Sequence, residues 1–159
     1  LVPQVADAVA VPVIAAGGIG DGRGIAAALA LGASGVQMGT AYLFTPQSLI
    51  GDSYRKALRG AQDDITSITN LFSGRPARGI VNRLMREIGP MSDAAPAFPL
   101  ASAALAPLQA RDKEAGSLDF TQVWAGQAGA FGRALDAGEL TQQLASDALA
   151  RLSSIAPNR

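Results

Sequence analysis

Short apolar runs broken by glycine fill the first sixty residues, and apolar positions three or four apart fill most of the remainder. Leu1, Val5 and Val9 recur about once per helical turn and predict a first helix. Pro12-Val13-Ile14-Ala15-Ala16 has no polar alternation and stops at Gly17-Gly18, which predicts a short strand buried on both faces, as in the middle of a parallel sheet. Asp21 suits the N-cap of a helix with Ile25, Ala28 and Leu29 on its apolar face, and Gly32 suits its C-terminal stop. Gly35-Val36-Gln37-Met38-Gly39 reads as a second strand, so strand, helix and strand follow within about 40 residues as a βαβ unit, whose crossover is right-handed in nearly all cases. From about Ser48, a further helix carries Leu49, Ile50, Ser53, Tyr54, Ala57 and Leu58 on one face.

Beyond Ala61 the texture changes, and the chain divides into two expected modules, 1–60 and a mostly helical 61–159. Thr66-Ser67-Ile68-Thr69 is a candidate short strand, ended by Gly74-Arg75-Pro76. Ile80, Val81, Leu84, Met85 and Ile88 predict a helix that stops at Gly89-Pro90, followed by a proline and alanine loop from Met91 to Pro99. Three more helices are expected, one on Leu100, Ala104 and Leu108, one on Phe120, Val123, Trp124, Gln127, Phe131 and Leu135, and one on Leu140, Leu144, Ala148 and Leu152. No internal repeat is visible.

With 159 residues, 48% of them hydrophobic, and a mean hydropathy of +0.21, the chain is expected to be a soluble globular protein with enough apolar side chains for a core. Its 13 basic and 13 acidic residues cancel and are dispersed, so it lacks the electrostatic footprint of a nucleic-acid or anionic-membrane partner. The absence of cysteine removes disulfides and thiolate chemistry and is compatible with a cytoplasmic location. The absence of histidine removes an imidazole base, a serine-histidine triad and imidazole metal sites within these residues, and no metal site is expected. No apolar stretch reaches the roughly 18 residues of a membrane-spanning helix. Leu1-Val2-Pro3-Gln4 has neither an initiator methionine nor a leader pattern and reads as the interior of a longer product.

The chemistry concentrates in Ala15-Ala16-Gly17-Gly18-Ile19-Gly20-Asp21, three glycines between a strand end and a helix start. Glycine admits positive φ and lets an anion approach peptide N–H groups that a Cβ would shield. The following helix adds its positive dipole end. Gly39 opens the end of the second strand in the same way, and Thr40 adds a hydroxyl. Two readings stand side by side, a phosphate site and a plain tight turn. The spacing is neither the Rossmann fingerprint nor a P-loop, which argues against a nucleoside triphosphate.

Pro12–Ile19, Gly24–Ala33 and Gly35–Thr40 together closely resemble the last two barrel strands of nitronate monooxygenases, and the similarity continues through Thr69–Gly79 and Trp124–Gln127. The Gly-Gly-Ile strand end is also shared with inosine monophosphate dehydrogenases and flavin-dependent enoyl-acyl-carrier-protein reductases. The resemblance implies the C-terminal part of a (β/α)₈ TIM barrel, an α/β fold, followed by the mostly helical module. It implies non-covalent flavin mononucleotide (FMN) and oxidation of alkyl nitronates such as propionate 3-nitronate by O₂ to a carbonyl product and nitrite. Gly17, Gly18, Gln37, Met38, Gly39 and Thr40 match the positions that hold the FMN phosphate. The family's usual catalytic histidine lies on an upstream segment that this sequence does not contain, so no catalytic residue is assigned and these residues alone are expected to be inactive. The alternatives are another FMN barrel oxidoreductase, such as the enoyl-acyl-carrier-protein reductases, and a non-catalytic phosphate-binding piece.

Other residues have plainer readings. Arg75 and Arg78 suit turn capping or acid pairing more readily than an anionic ligand, and Trp124 suits burial more readily than flavin contact, with Gln127 nearly a turn beyond it. Asp63, Asp64 and Glu87 lack the spacing of a metal or acid/base pair. Lys56, Arg59 and Arg86 complement the negative ends of their helices.

Overall fold

The computed structural model describes residues 1–155. Two compact units emerge, one formed by Leu1–Ser48 with the stretch from Phe131 onward, the other by Leu49–Ala130. This differs from the sequential 1–60 and 61–159 division. The last helix, expected in the second module, packs on the first βαβ segment instead.

In the first unit, α1 (Val2–Ala8) leads to β1 (Ile14–Ala16), α2 (Gly22–Ala30), β2 (Gly35–Gln37) and the one-turn α3 (Thr40–Leu43), and α7 (Ala137–Ile155) returns to pack on α2. Strands β1 and β2 pair in parallel, Ile14 with Gly35, Ala15 with Val36 and Ala16 with Gln37, and the Ser34 N–H donates to the Val13 carbonyl at 2.8 Å. Ala15, Ala28 and Ala33 form a small core with Val2, Ile19 and Val36 against it. Among the described residues this sheet has two strands, with Ala15 buried and Ile14 55% exposed. On α7, Leu140, Leu144 and Ala148 are the buried stripe, at the spacing the sequence predicts. Gly22 lets α2 and α7 approach closely. A Cβ there would stand 2.5 Å from the Asp147 Cβ and 2.7 Å from the Ala148 nitrogen.

The second unit holds α4 (Asp52–Arg59), β3 (Thr66–Thr69), β4 (Ala77–Ile80), α5 (Arg83–Ile88) and α6 (Ala101–Ala115). Helix α4 begins later than Ser48, at the Gly51 N-cap, and leaves Leu49 fully exposed. Strand β3 lies where expected and pairs antiparallel with β4, which the sequence had assigned in part to a helix. Ile80 and Val81 are withheld from that helix because their N–H groups donate to the Val123 and Ile65 carbonyls, at 2.9 Å each. The helix starts only after Asn82, whose side chain accepts from the Met85 N–H.

The helix expected over Phe120–Leu135 is also absent. Its apolar residues are carried instead by an extended segment in which Trp124 bridges Gly79 and the Ala125 N–H donates to the Arg78 carbonyl, with a short 3₁₀ turn at Gln127–Phe131. Buried polar groups hold it there. The Asp112 carboxylate accepts from the Phe120 N–H (2.7 Å) and the Thr121 hydroxyl (2.8 Å), and Asn82 donates to the carbonyls of Leu118 and Thr121. Leu71, Phe72, Leu84 and Met85 are the core on which this segment closes. No helix among the described residues is long and apolar enough to cross a membrane.

Candidate functional site

The parallel register sets the Ala16 and Gln37 ends of β1 and β2 side by side, so Gly17-Gly18 and Met38-Gly39-Thr40 leave the same edge of the sheet. All six residues singled out in the sequence therefore lie at or just beyond two adjacent C-terminal strand ends. Gly17 and Gly18 have φ of +91° and +72°, the left-handed region in which a Cβ is strained. A Cβ at either would meet nothing within 4 Å, so backbone conformation, not crowding, requires glycine.

Gly39 is different. Its φ of −105° is open to any residue, and a Cβ built on it also meets nothing within 4 Å. Neither the chain's conformation nor its packing explains a missing side chain there. Open space over Gly17, Gly18 and Gly39, on two neighbouring strand ends, is what an anion needing close access to backbone N–H groups requires.

The helix behind the first loop contributes less than expected. The Asp21 carboxylate already accepts from the Arg23 and Gly24 N–H groups at 3.0 and 3.1 Å, so these two first-turn donors of α2 are used internally. Arg23 returns its guanidinium to the same carboxylate at 2.7 and 2.6 Å and lies 5.3 Å from the centre of the Phe131 ring. Burial raises the Asp21 pKa, but hydrogen bonds from Arg23 and from the Gly24 N–H outweigh it, and the group sits below the usual carboxylate range. A depressed folded pKa gives stability that is present above the unfolded value, about 4, and is lost as pH falls through the lower folded value. Asp21→Asn, which keeps an oxygen for the cap, should therefore show a flatter fall in urea midpoint as pH drops below about 4. Parallel acid limbs for the two proteins would remove Asp21 from the transition.

Four further candidates lie in the other unit, with partners of their own. Arg78 donates to the Thr66 carbonyl and hydroxyl at 3.2 and 3.1 Å, and Arg75 stacks 4.4 Å from the Phe98 ring centre. Trp124 is half-buried and meets the Phe72 ring edge-on at 5.8 Å, while its carbonyl accepts from the Tyr54 hydroxyl at 2.7 Å. Burial raises the Tyr54 pKa to about 12. Glu87 is held by Arg83 in an exposed i,i+4 pair.

Sequence reasoning overlooked a group of side chains around α3. Tyr42, Phe44 and Gln47 all engage the region from Gly132 to Thr141, some ninety positions along the chain. One signal was present. Asp136 three residues ahead of Glu139 has the spacing of a capping box at a helix start, and Asp136 does accept from the Gly138 and Glu139 N–H groups.

The sequence profile described as nitronate monooxygenase matches residues 1–147. A nitronate monooxygenase of Pseudomonas aeruginosa is 45% identical over 137 residues, covering 86% of this chain and 39% of that protein. Among solved structures, a nitroalkane oxidase from Streptomyces ansochromogenes superposes with a TM-score of 0.89 at 40% identity, over 98% of this chain and 44% of its own. FabK from Thermotoga maritima superposes with a TM-score of 0.80 at 30% identity, over 98% of this chain and 50% of its own. Both structural neighbours are of the TIM-barrel type. This chain spans half or less of the length of each of these proteins.

Proposed function

The chain belongs to the nitronate monooxygenase family, and from that premise we propose that it carries the phosphate-binding part of an FMN-dependent enzyme that oxidises alkyl nitronates with O₂ to a carbonyl product and nitrite. In this reading β1 and β2 are the last two strands of a (β/α)₈ barrel, whose phosphate site is frequently built from the loops after strands seven and eight. The observation that carries it is Gly39, a glycine with ordinary φ and open space over its Cα, beside the positive-φ pair Gly17-Gly18.

Gly17, Gly18, Gln37, Met38, Gly39 and Thr40 hold the phosphate, chiefly through backbone that an anion can approach closely where Gly17, Gly18 and Gly39 lack a Cβ. When bound, FMN supplies the electron transfer. The chain's own part is to orient the cofactor by its phosphate, with the Asp21–Arg23 pair leaving no unneutralised carboxylate at the start of α2. The histidine that the family places at the nitronate lies outside this sequence, which contains none.

The test is turnover of the full-length protein with propionate 3-nitronate. Oxygen uptake and nitrite release without any reduced nicotinamide are expected. Activity that needs NADH or NADPH and leaves the nitronate untouched would assign the site to a reductase of the same barrel type.

A further inference from the structure

We propose that the entry to α7, residues 132–141, is a positioning element for the Gly39–Thr40 end of the cofactor site, acting through Tyr42, Phe44 and Gln47. This rests on the reading that the two strand ends hold the flavin phosphate.

Helix α3 is one turn long, Thr40–Leu43, and starts at Gly39. A single turn has no stability of its own, so its place is set by what it packs against. Three of its side chains, or those just after it, engage the same distant segment. The Thr141 hydroxyl donates its one hydrogen to the Ala137 carbonyl at 2.8 Å, which makes the Tyr42 hydroxyl the donor in its 2.7 Å bond to Thr141. The Phe44 ring lies against bare backbone at Gly132, where a Cβ would come within 2.2 Å of it. Gln47 accepts from the Ala137 N–H at 3.2 Å and donates to the Asp136 carboxylate, the group that caps α7.

The same helix packs against α2, which follows the other glycine loop. Helix α7 thus touches the element after each strand end, and its entry fixes where Gly39 stands relative to Gly17-Gly18. Tyr42 and Thr141 touch no ligand in this account. They position the residues that do.

The experiment measures affinity for FMN and for riboflavin, which lacks the phosphate, in the full-length protein and its variants. Tyr42→Phe and Thr141→Val, which both remove the Tyr42–Thr141 hydrogen bond, should each weaken FMN binding by about five-fold. Riboflavin affinity should stay nearly constant, and Thr141→Ser should restore FMN. A parallel loss for both ligands would make the contact merely structural and overturn the proposal. So would unchanged FMN affinity in these variants while Gly18→Val loses it, with the phosphate reading intact. If Gly18→Val also binds FMN normally, the phosphate reading fails and this proposal with it.

Discussion

Gly39→Val should leave the thermal midpoint of the protein close to that of the parent while weakening FMN binding by about ten- to one-hundred-fold, equivalent to about 1–3 kcal/mol of steric misfit. The two halves of that expectation come from separate observations. A valine at φ −105° is unstrained, and its Cβ has no neighbour within 4 Å, so nothing in the chain resists it. A phosphate seated on the same backbone would meet the new methyl groups and be pushed away from the N–H groups. Gly18→Val is the natural comparison. At φ +72° a β-branched residue is strained by about 1–3 kcal/mol, so this variant should lose both stability and FMN. Calorimetry and quenching of flavin fluorescence, run on both variants, separate the effects. Normal FMN affinity in Gly39→Val would remove the second strand end from the site.

Gly22→Val should destabilise the fold by about 3 kcal/mol, near the upper end of the usual cost of overpacking. The obstacle is close and largely backbone. A Cβ at Gly22 would stand 2.5 Å from the Asp147 Cβ and 2.7 Å from the Ala148 nitrogen, and neither can step aside without moving α7 off α2. The buried stripe Leu140, Leu144 and Ala148 would be disturbed with it. Urea denaturation reads this as a lower midpoint at unchanged slope. A loss below about 0.5 kcal/mol would mean that the two helices separate at little cost.

The two glycine strand ends and the helix-packing contact differ in how well the sequence exposed them. Gly17 and Gly18 are legible because they close an apolar run and precede a capping aspartate, and both turn out to need positive φ. Gly22 has the same letter, yet its reason for being glycine is a helix more than a hundred positions away. Local pattern carries no trace of such a contact. The capping role of Asp21 was equally legible, but its consequence for the site was not. Only the tertiary structure shows that its carboxylate uses two N–H groups a ligand would otherwise receive from α2.

Periodicity misled where apolar residues serve an extended segment. Phe120, Val123 and Trp124 sit at helical spacing, but Asp112 and Asn82 capture the surrounding backbone and Gly79 pairs with Trp124. Long-range polar contacts decided between two conformations that the apolar pattern did not separate.

By itself, the sequence determined the βαβ segment, the capped start and glycine stop of its helix, and the two glycine strand ends, because each is fixed by residues within a few positions of one another. The tertiary structure alone decided that α7 returns to the first unit and that Tyr42, Phe44 and Gln47 dock on its entry. Those outcomes depend on pairings across long stretches of chain, where side-chain complementarity, and not local propensity, selects the arrangement.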